Sequence, residues 1–121
     1  MNVLVVDDNA VNLKLARLLL SGEGFTVQTA TDAREAVAAL ETFSPRVILM
    51  DVQLPDVDGL ELTRRLKADP RWKAVPVVAL TAYAMKSDEE RAIAAGCDLF
   101  LTKPVDPDVL LSAILRVAGA P

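Results

Sequence analysis

The chain of 121 residues contains no histidine. That absence removes Cys/His zinc sites and the Ser-His-Asp and Cys-His catalytic pairs. The single cysteine, Cys97, has no partner for an internal disulfide and reads as a small buried hydrophobe. Basic residues are in the minority, 13 Lys and Arg against 17 Asp and Glu, so the net charge is -4. A surface built for the phosphate backbone of nucleic acid needs the opposite balance. Long apolar runs are missing too: Val3 to Val6 and Val75 to Leu80 fall well short of the roughly 20 residues of a membrane span. Met1-Asn2-Val3 lacks the basic-then-apolar pattern of a secretory signal. The expectation is a cytoplasmic protein with no direct nucleic-acid or membrane partner, and Trp72 and Phe43 carry no functional signal.

What remains is an ordinary globular composition, 52% hydrophobic and 25% charged, in a chain sized for one domain. Short apolar runs alternate with segments of helical period. Val3-Leu4-Val5-Val6, Phe25-Thr26-Val27, Val47-Ile48-Leu49-Met50, Val75 to Leu80 and Leu99-Phe100-Leu101 read as five strands. Runs apolar at every position suit strands covered on both faces, as in a parallel sheet flanked by helices. Val11, Leu15, Leu18 and Leu19 form one helical stripe; Ala33, Ala36, Val37 and Leu40 another; Leu110, Ala113, Ile114 and Val117 a third. Asp32 with Glu35, Asp58 with Glu61 and Ser87 with Glu90 have the spacing of capping boxes, and Asp106 before Pro107 suits an N-cap followed by a first-turn proline. The helix near Ser87 offers mainly Ala92, Ile93 and Ala95 for burial, so it is expected to be the mobile one. Ala118 to Pro121 reads as a short frayed tail.

The pattern is (βα)5, an α/β doubly wound sheet with helices on both faces, and ligands of such sheets bind beyond the carboxyl ends of the strands. The residues leaving the strands there are Asp7 and Asp8, Asp51, Thr81 and Lys103. Three carboxylates crowded together repel one another unless a cation shares the site. Oxygen donors with room for water favour Mg²⁺; Mn²⁺ and Ca²⁺ stay open. An aspartate at such a centre can attack phosphorus and form an acyl phosphate, and Asp51, ending a central strand, is best placed. Asp7 and Asp8 would hold metal, Lys103 would neutralise the phosphoryl oxygens, and Thr81 would donate a hydrogen bond.

Val5-Val6-Asp7-Asp8-Asn9, Leu49-Met50-Asp51 through Leu54-Pro55 to Asp58-Gly59, Leu80-Thr81-Ala82 and Lys103-Pro104 together resemble the motifs of response-regulator receiver domains of two-component signalling. The resemblance covers essentially the whole chain, and the intervals of thirty residues from Asp51 to Thr81 and twenty-two from Thr81 to Lys103 are typical of that family. It implies one receiver domain over residues 1–121 without an output domain, and the flavodoxin-like strand order 2-1-3-4-5. It implies a phosphoryl group taken onto Asp51 from the phosphohistidine of a sensor histidine kinase or histidine phosphotransfer protein, with Mg²⁺ as cofactor. It further implies a metal ligand in the backbone carbonyl of Gln53, a cis peptide at Lys103-Pro104, and a switch pairing Thr81 with Phe100. That switch would change the face made by the fourth helix, fifth strand and fifth helix, which engages a downstream protein. Such a domain is no enzyme beyond its own phosphoryl transfer and aspartyl-phosphate hydrolysis.

Tyr83-Ala84-Met85-Lys86 and Glu89-Glu90-Arg91 before Gly96-Cys97 are most similar to stand-alone regulators of the cell-division type and to receivers of hybrid kinases. Gln53 and Tyr83 occupy positions that in relatives influence acyl-phosphate lifetime, and Pro55 and Gly59 shape the turn after the third strand. A phosphate sink or a receiver excised from a hybrid histidine kinase are alternative roles. An aspartate-nucleophile phosphatase is a further alternative, although Gln53 stands where such enzymes carry a second acid. A flavodoxin-like cofactor binder is disfavoured by Asp7-Asp8-Asn9, which would repel a phosphate rather than cradle it.

Overall fold

The computed structural model describes residues 1–82 and 85–119. In chain order the elements are β1 (Asn2–Val6), α1 (Ala10–Gly22), β2 (Thr26–Ala30), α2 (Ala33–Leu40), β3 (Val47–Asp51), α3 (Gly59–Ala68), β4 (Val77–Thr81), α4 (Lys86–Ala95), β5 (Leu99–Thr102) and α5 (Pro107–Ala118). The strands form one parallel sheet in the order β2-β1-β3-β4-β5. Residues that alternate along each strand separate into two cores. Leu4, Val6, Ile48, Met50, Val77 and Ala79 pack with Ala36 and Leu40 of α2, Leu60 and Leu66 of α3 and Ala92 of α4. Val3, Val5, Val47, Leu49, Val78 and Leu80 pack on the other face with Leu13 and Leu20 of α1 and Leu110 and Ile114 of α5. None of the described helices is long and apolar enough to cross a membrane.

Several expectations are corrected. The second strand begins after Phe25 and runs on through Gln28-Thr29-Ala30, and the fourth begins at Val77 rather than Val75. As the sheet edge, β2 is only half covered, so its polar residues fit where a fully buried strand would reject them. On α1 the expected stripe is largely turned outward: Val11, Leu15 and Leu18 are 60–65% exposed, and Leu13 and Leu20 are buried instead. The helix is apolar almost all round, so two stripes satisfy its periodicity. Val37 of α2 is likewise exposed, while Ala33, Ala36 and Leu40 are buried as expected.

The caps separate in the same way. Asp32 accepts from the Glu35 amide at 2.7 Å, but the Glu35 carboxylate accepts from the amide and hydroxyl of Thr31, both at 2.8 Å. Asp58 accepts from the Leu60 amide at 2.7 Å, while Glu61 turns to Arg64 at 2.7 Å and Arg65 at 3.5 Å, charges one turn along the same helix. α4 begins at Lys86 behind Met85, which makes no side-chain cap bond, so Ser87 lies inside the first turn. Asp106 caps α5 through the Asp108 amide with Pro107 in the first turn, as expected. α4 buries only Ala92 and Ala95, and Ile93, expected inside, is 62% exposed. Of the expected tail, Ala118 still belongs to α5; Ala120 and Pro121, like Tyr83 and Ala84, lie outside the described residues.

Candidate functional site

Because all five strands are parallel, their carboxyl ends share one edge, and the residues singled out in sequence meet there. Asp7 follows β1 directly and is buried. Its Oδ1 accepts from the Asn9 amide at 2.9 Å, and its Oδ2 accepts from Asn12 Nδ2 at 3.3 Å and Lys103 Nζ at 3.0 Å. Asp51 is the last residue of β3 and is 4% exposed. Its Oδ1 accepts from the Gln53 amide at 3.0 Å, and its Oδ2 lies 3.0 Å from Lys103 Nζ. Asp8 is exposed, yet one carboxylate oxygen from each of Asp7, Asp8 and Asp51 falls within 4.8 Å of the others. Thr81 closes β4, is buried, and stands opposite Thr102 of β5.

Local backbone structure fixes these side chains. Lys103 is anchored by its amide, which donates to the Thr81 carbonyl at 2.6 Å, and the peptide to Pro104 is cis. On the other side of Asp51, Gly59 opens α3 with its amide on the Val52 carbonyl at 2.9 Å. A Cβ at Gly59 would fall onto the Asp51 carbonyl oxygen, so only glycine admits this approach of α3 to the end of β3. Phe100, expected as a switch, is half-buried in β5 beside Ala79 of β4 and packs against the core under α2, α3 and α4.

Sequence reasoning passed over Asn12, whose contact with Asp7 depends on the helical turn that brings it back over β1. It also gave no role to Asn9, although an Asn directly before a helical stripe is an N-cap signal. Its side chain accepts from the Val11 and Asn12 amides at 2.9 and 3.1 Å.

The electrostatics favour positive charge at this edge. Burial raises the proton affinity of Asp51, and the nearby Asp7 charge adds to this. The Gln53 amide and the Lys103 ammonium oppose them, but the carboxyl stays above its ordinary range. Burial works against the charged form of Lys103 as well, yet hydrogen bonds to Asp51 and Asp7 outweigh it and hold the ammonium above its ordinary value. Lys103 thus pairs with two of three clustered carboxylates, and the three form an all-oxygen donor set of the kind that suits a hard divalent cation. A groove of about 580 Å³ runs from Asp7 and Lys103 between α1 and α5, lined by Leu15, Leu19, Pro104 and Leu110. Cys97 is buried with its thiol pushed up to about 11, which leaves it an inert packing residue, as expected.

Comparison with known proteins agrees with this arrangement. The family described as "Response regulator receiver domain" matches residues 3–115. The polar-differentiation response regulator DivK of Brucella anthropi is 39% identical over 118 residues, covering 98% of this chain and 96% of DivK. Among solved structures, the receiver domain of the sensor histidine kinase PA1611 of Pseudomonas aeruginosa, described with a magnesium ion coordinated in its active-site cleft, superposes with a TM-score of 0.89 at 34% identity, covering 98% of both chains. The Vibrio cholerae chemotaxis protein CheY4 gives a TM-score of 0.91 at 31% identity, covering 96% of this chain and 97% of that one. With the family matched along nearly the whole length and its strand order reproduced, the chain belongs to the response regulator receiver domains of two-component signalling.

Proposed function

We propose that this receiver acts in the cytoplasm and takes a phosphoryl group on Asp51 from the phosphohistidine of a sensor histidine kinase or histidine phosphotransfer protein. The observation that carries the reading is the pairing of a buried strand-end carboxylate, Asp51, with one ammonium, Lys103, beside two further carboxylates. The Gln53 amide and Lys103 hold one oxygen of Asp51 each and so fix the carboxylate for attack. An Asp51 oxygen forms the new bond to phosphorus, the bond from phosphorus to the donor imidazole breaks, and its electron pair leaves on that nitrogen. A divalent cation, Mg²⁺ or Mn²⁺, held by Asp7, Asp8, Asp51 and the Gln53 carbonyl would neutralise charge on the phosphoryl oxygens. Lys103 offers a second positive charge and Thr81 a hydroxyl donor.

The donor histidine lies outside these 121 residues, which contain none. Leu15 in the groove lining, with Val11 and Leu18 exposed on the same helix, supplies apolar surface at which such a partner approaches. The output surface is α4, β5 and α5, with Thr81 and Phe100 as the switch toward a downstream protein. The shallow anchoring of α4 by Ala92 and Ala95 supports this, since a weakly packed element is the one that a local change can shift. The domain turns over no substrate besides its own aspartyl phosphate.

Intact-protein mass after incubation with acetyl phosphate is the test. A gain of one phosphoryl group that requires Mg²⁺ and vanishes in Asp51→Ala is expected. No gain from the small donor or from a phosphorylated kinase would mean that the domain signals by binding alone.

A further inference from the structure

The loop from Val52 to Asp58 links the acceptor strand to α3. Near Asp51 it is held by the Gln53 amide, and near α3 by the Gly59 amide and the Asp58 cap. Its middle is tied elsewhere. Asp56 Oδ1 accepts from the Ala33 amide at 3.0 Å and Oδ2 from the Arg34 amide at 3.2 Å, while the Val57 amide also donates to Oδ1 at 2.9 Å. Ala33 and Arg34 begin α2, where amides have no partner within the helix. α2 is therefore capped twice, by its own Asp32 on the Glu35 amide and by Asp56, more than twenty residues away in sequence. The Ala33 amide, with those of Arg34 and Val57, holds the Asp56 carboxyl below its ordinary range, so the charge is sustained in this position.

We infer that Asp56 is a positioning residue for the metal and acceptor centre, acting through the loop that carries Gln53. The inference rests on the reading of the carboxylate cluster as a metal and phosphoacceptor site. Asp56 lies three residues beyond Gln53, and its two-amide clasp on α2 converts the outer end of that span into a fixed point. The inner end is already fixed on Asp51. A backbone carbonyl binds a cation well only if it is held in place beforehand, because a mobile loop must be ordered at the moment of binding. The clasp also directs one more carboxylate toward the positive end of α2 and leaves the acid cluster to the cation.

The test compares the wild type with Asp56→Ala, Asp56→Asn and Asp32→Ala. Two quantities are read against Mg²⁺ concentration: the rise in melting temperature and the phosphoryl uptake from acetyl phosphate by intact mass. Loss of an outer partner of this kind raises the Mg²⁺ needed for half-saturation about tenfold in Asp56→Ala. Asp56→Asn keeps one accepting oxygen for the Ala33 and Val57 amides but loses the acceptor for the Arg34 amide, so its Mg²⁺ requirement falls between those of Asp56→Ala and the wild type. Asp32→Ala, which removes the local cap of the same helix, lowers the melting temperature and leaves the Mg²⁺ requirement where it was. An Asp56→Ala protein that melts lower but half-saturates at the wild-type concentration overturns the positioning role and reduces Asp56 to a cap. A wild type that neither gains stability from Mg²⁺ nor takes up phosphate overturns the metal reading itself, and this inference with it.

Discussion

At the scale of single residues, the site is costly to the fold that holds it. Asp51 has a raised proton affinity in the folded chain, chiefly through burial. Between the ordinary carboxylate range and that raised value, the folded state binds more protons than the unfolded one, so stability falls as pH rises through the interval. Above it the full cost is present. Asp51→Asn escapes this cost and is expected to melt above the wild type at about pH 7, with the gap closing as the pH drops to the carboxylate range. A lower melting temperature for the variant at neutral pH would mean that the contact with Lys103 outweighs the burial. Asp8, exposed and close to both buried acids, tests the metal directly. A cation that binds only the folded state adds about 2.7 kcal/mol at a hundredfold excess over its dissociation constant. Mg²⁺ should therefore raise the melting temperature of the wild type, and that of Asp8→Asn much less. Equal shifts in the two proteins would remove Asp8 from the ligand set.

At the scale of elements, the approach of α3 to β3 and the orientation of α1 make separate predictions. Gly59→Ala puts a methyl group against the Asp51 carbonyl, where backbone rather than a flexible side chain must give way. A cost of about 1–3 kcal/mol is expected in denaturant unfolding, together with slower phosphoryl uptake, because the displaced carbonyl belongs to Asp51, the proposed acceptor. Unchanged stability would show that the start of α3 shifts freely. For α1, Leu20→Ala opens a cavity in the core and should cost about 2–5 kcal/mol. Leu15→Ala, on the exposed side, should stay within about 0.5 kcal/mol. The reverse order would restore the stripe expected from periodicity alone. That stripe could not be settled from the sequence, because Val11, Leu13, Leu15, Leu18, Leu19 and Leu20 offer two overlapping faces. Asp56 was equally hidden: a carboxylate in a turn shows nothing of a helix start more than twenty residues earlier.

At the scale of the whole molecule, two cores on either side of one sheet leave α4 with the least apolar anchoring, two alanines against the leucines and isoleucine of its neighbours α3 and α5. Amide exchange should accordingly be faster in α4 than in α3 or α5, and equal protection across the three would contradict the weak anchoring. The alternation of apolar runs with helical stripes determined the (βα)5 plan, since a strand apolar on every position is stable only when covered on both faces. It also determined the edge that carries the candidate site, because parallel strands must end together and Asp7, Asp8, Asp51, Thr81 and Lys103 each follow or end a run. The strand order came with the resemblance rather than with periodicity. Only the tertiary structure decided which side of α1 turns inward, where Glu35 and Glu61 direct their charge, and how Asp56 joins the loop after β3 to α2. Periodicity reports that a face is apolar and spacing that a bond is within reach, but the competition between partners distant in sequence is resolved only once the chain has brought them together.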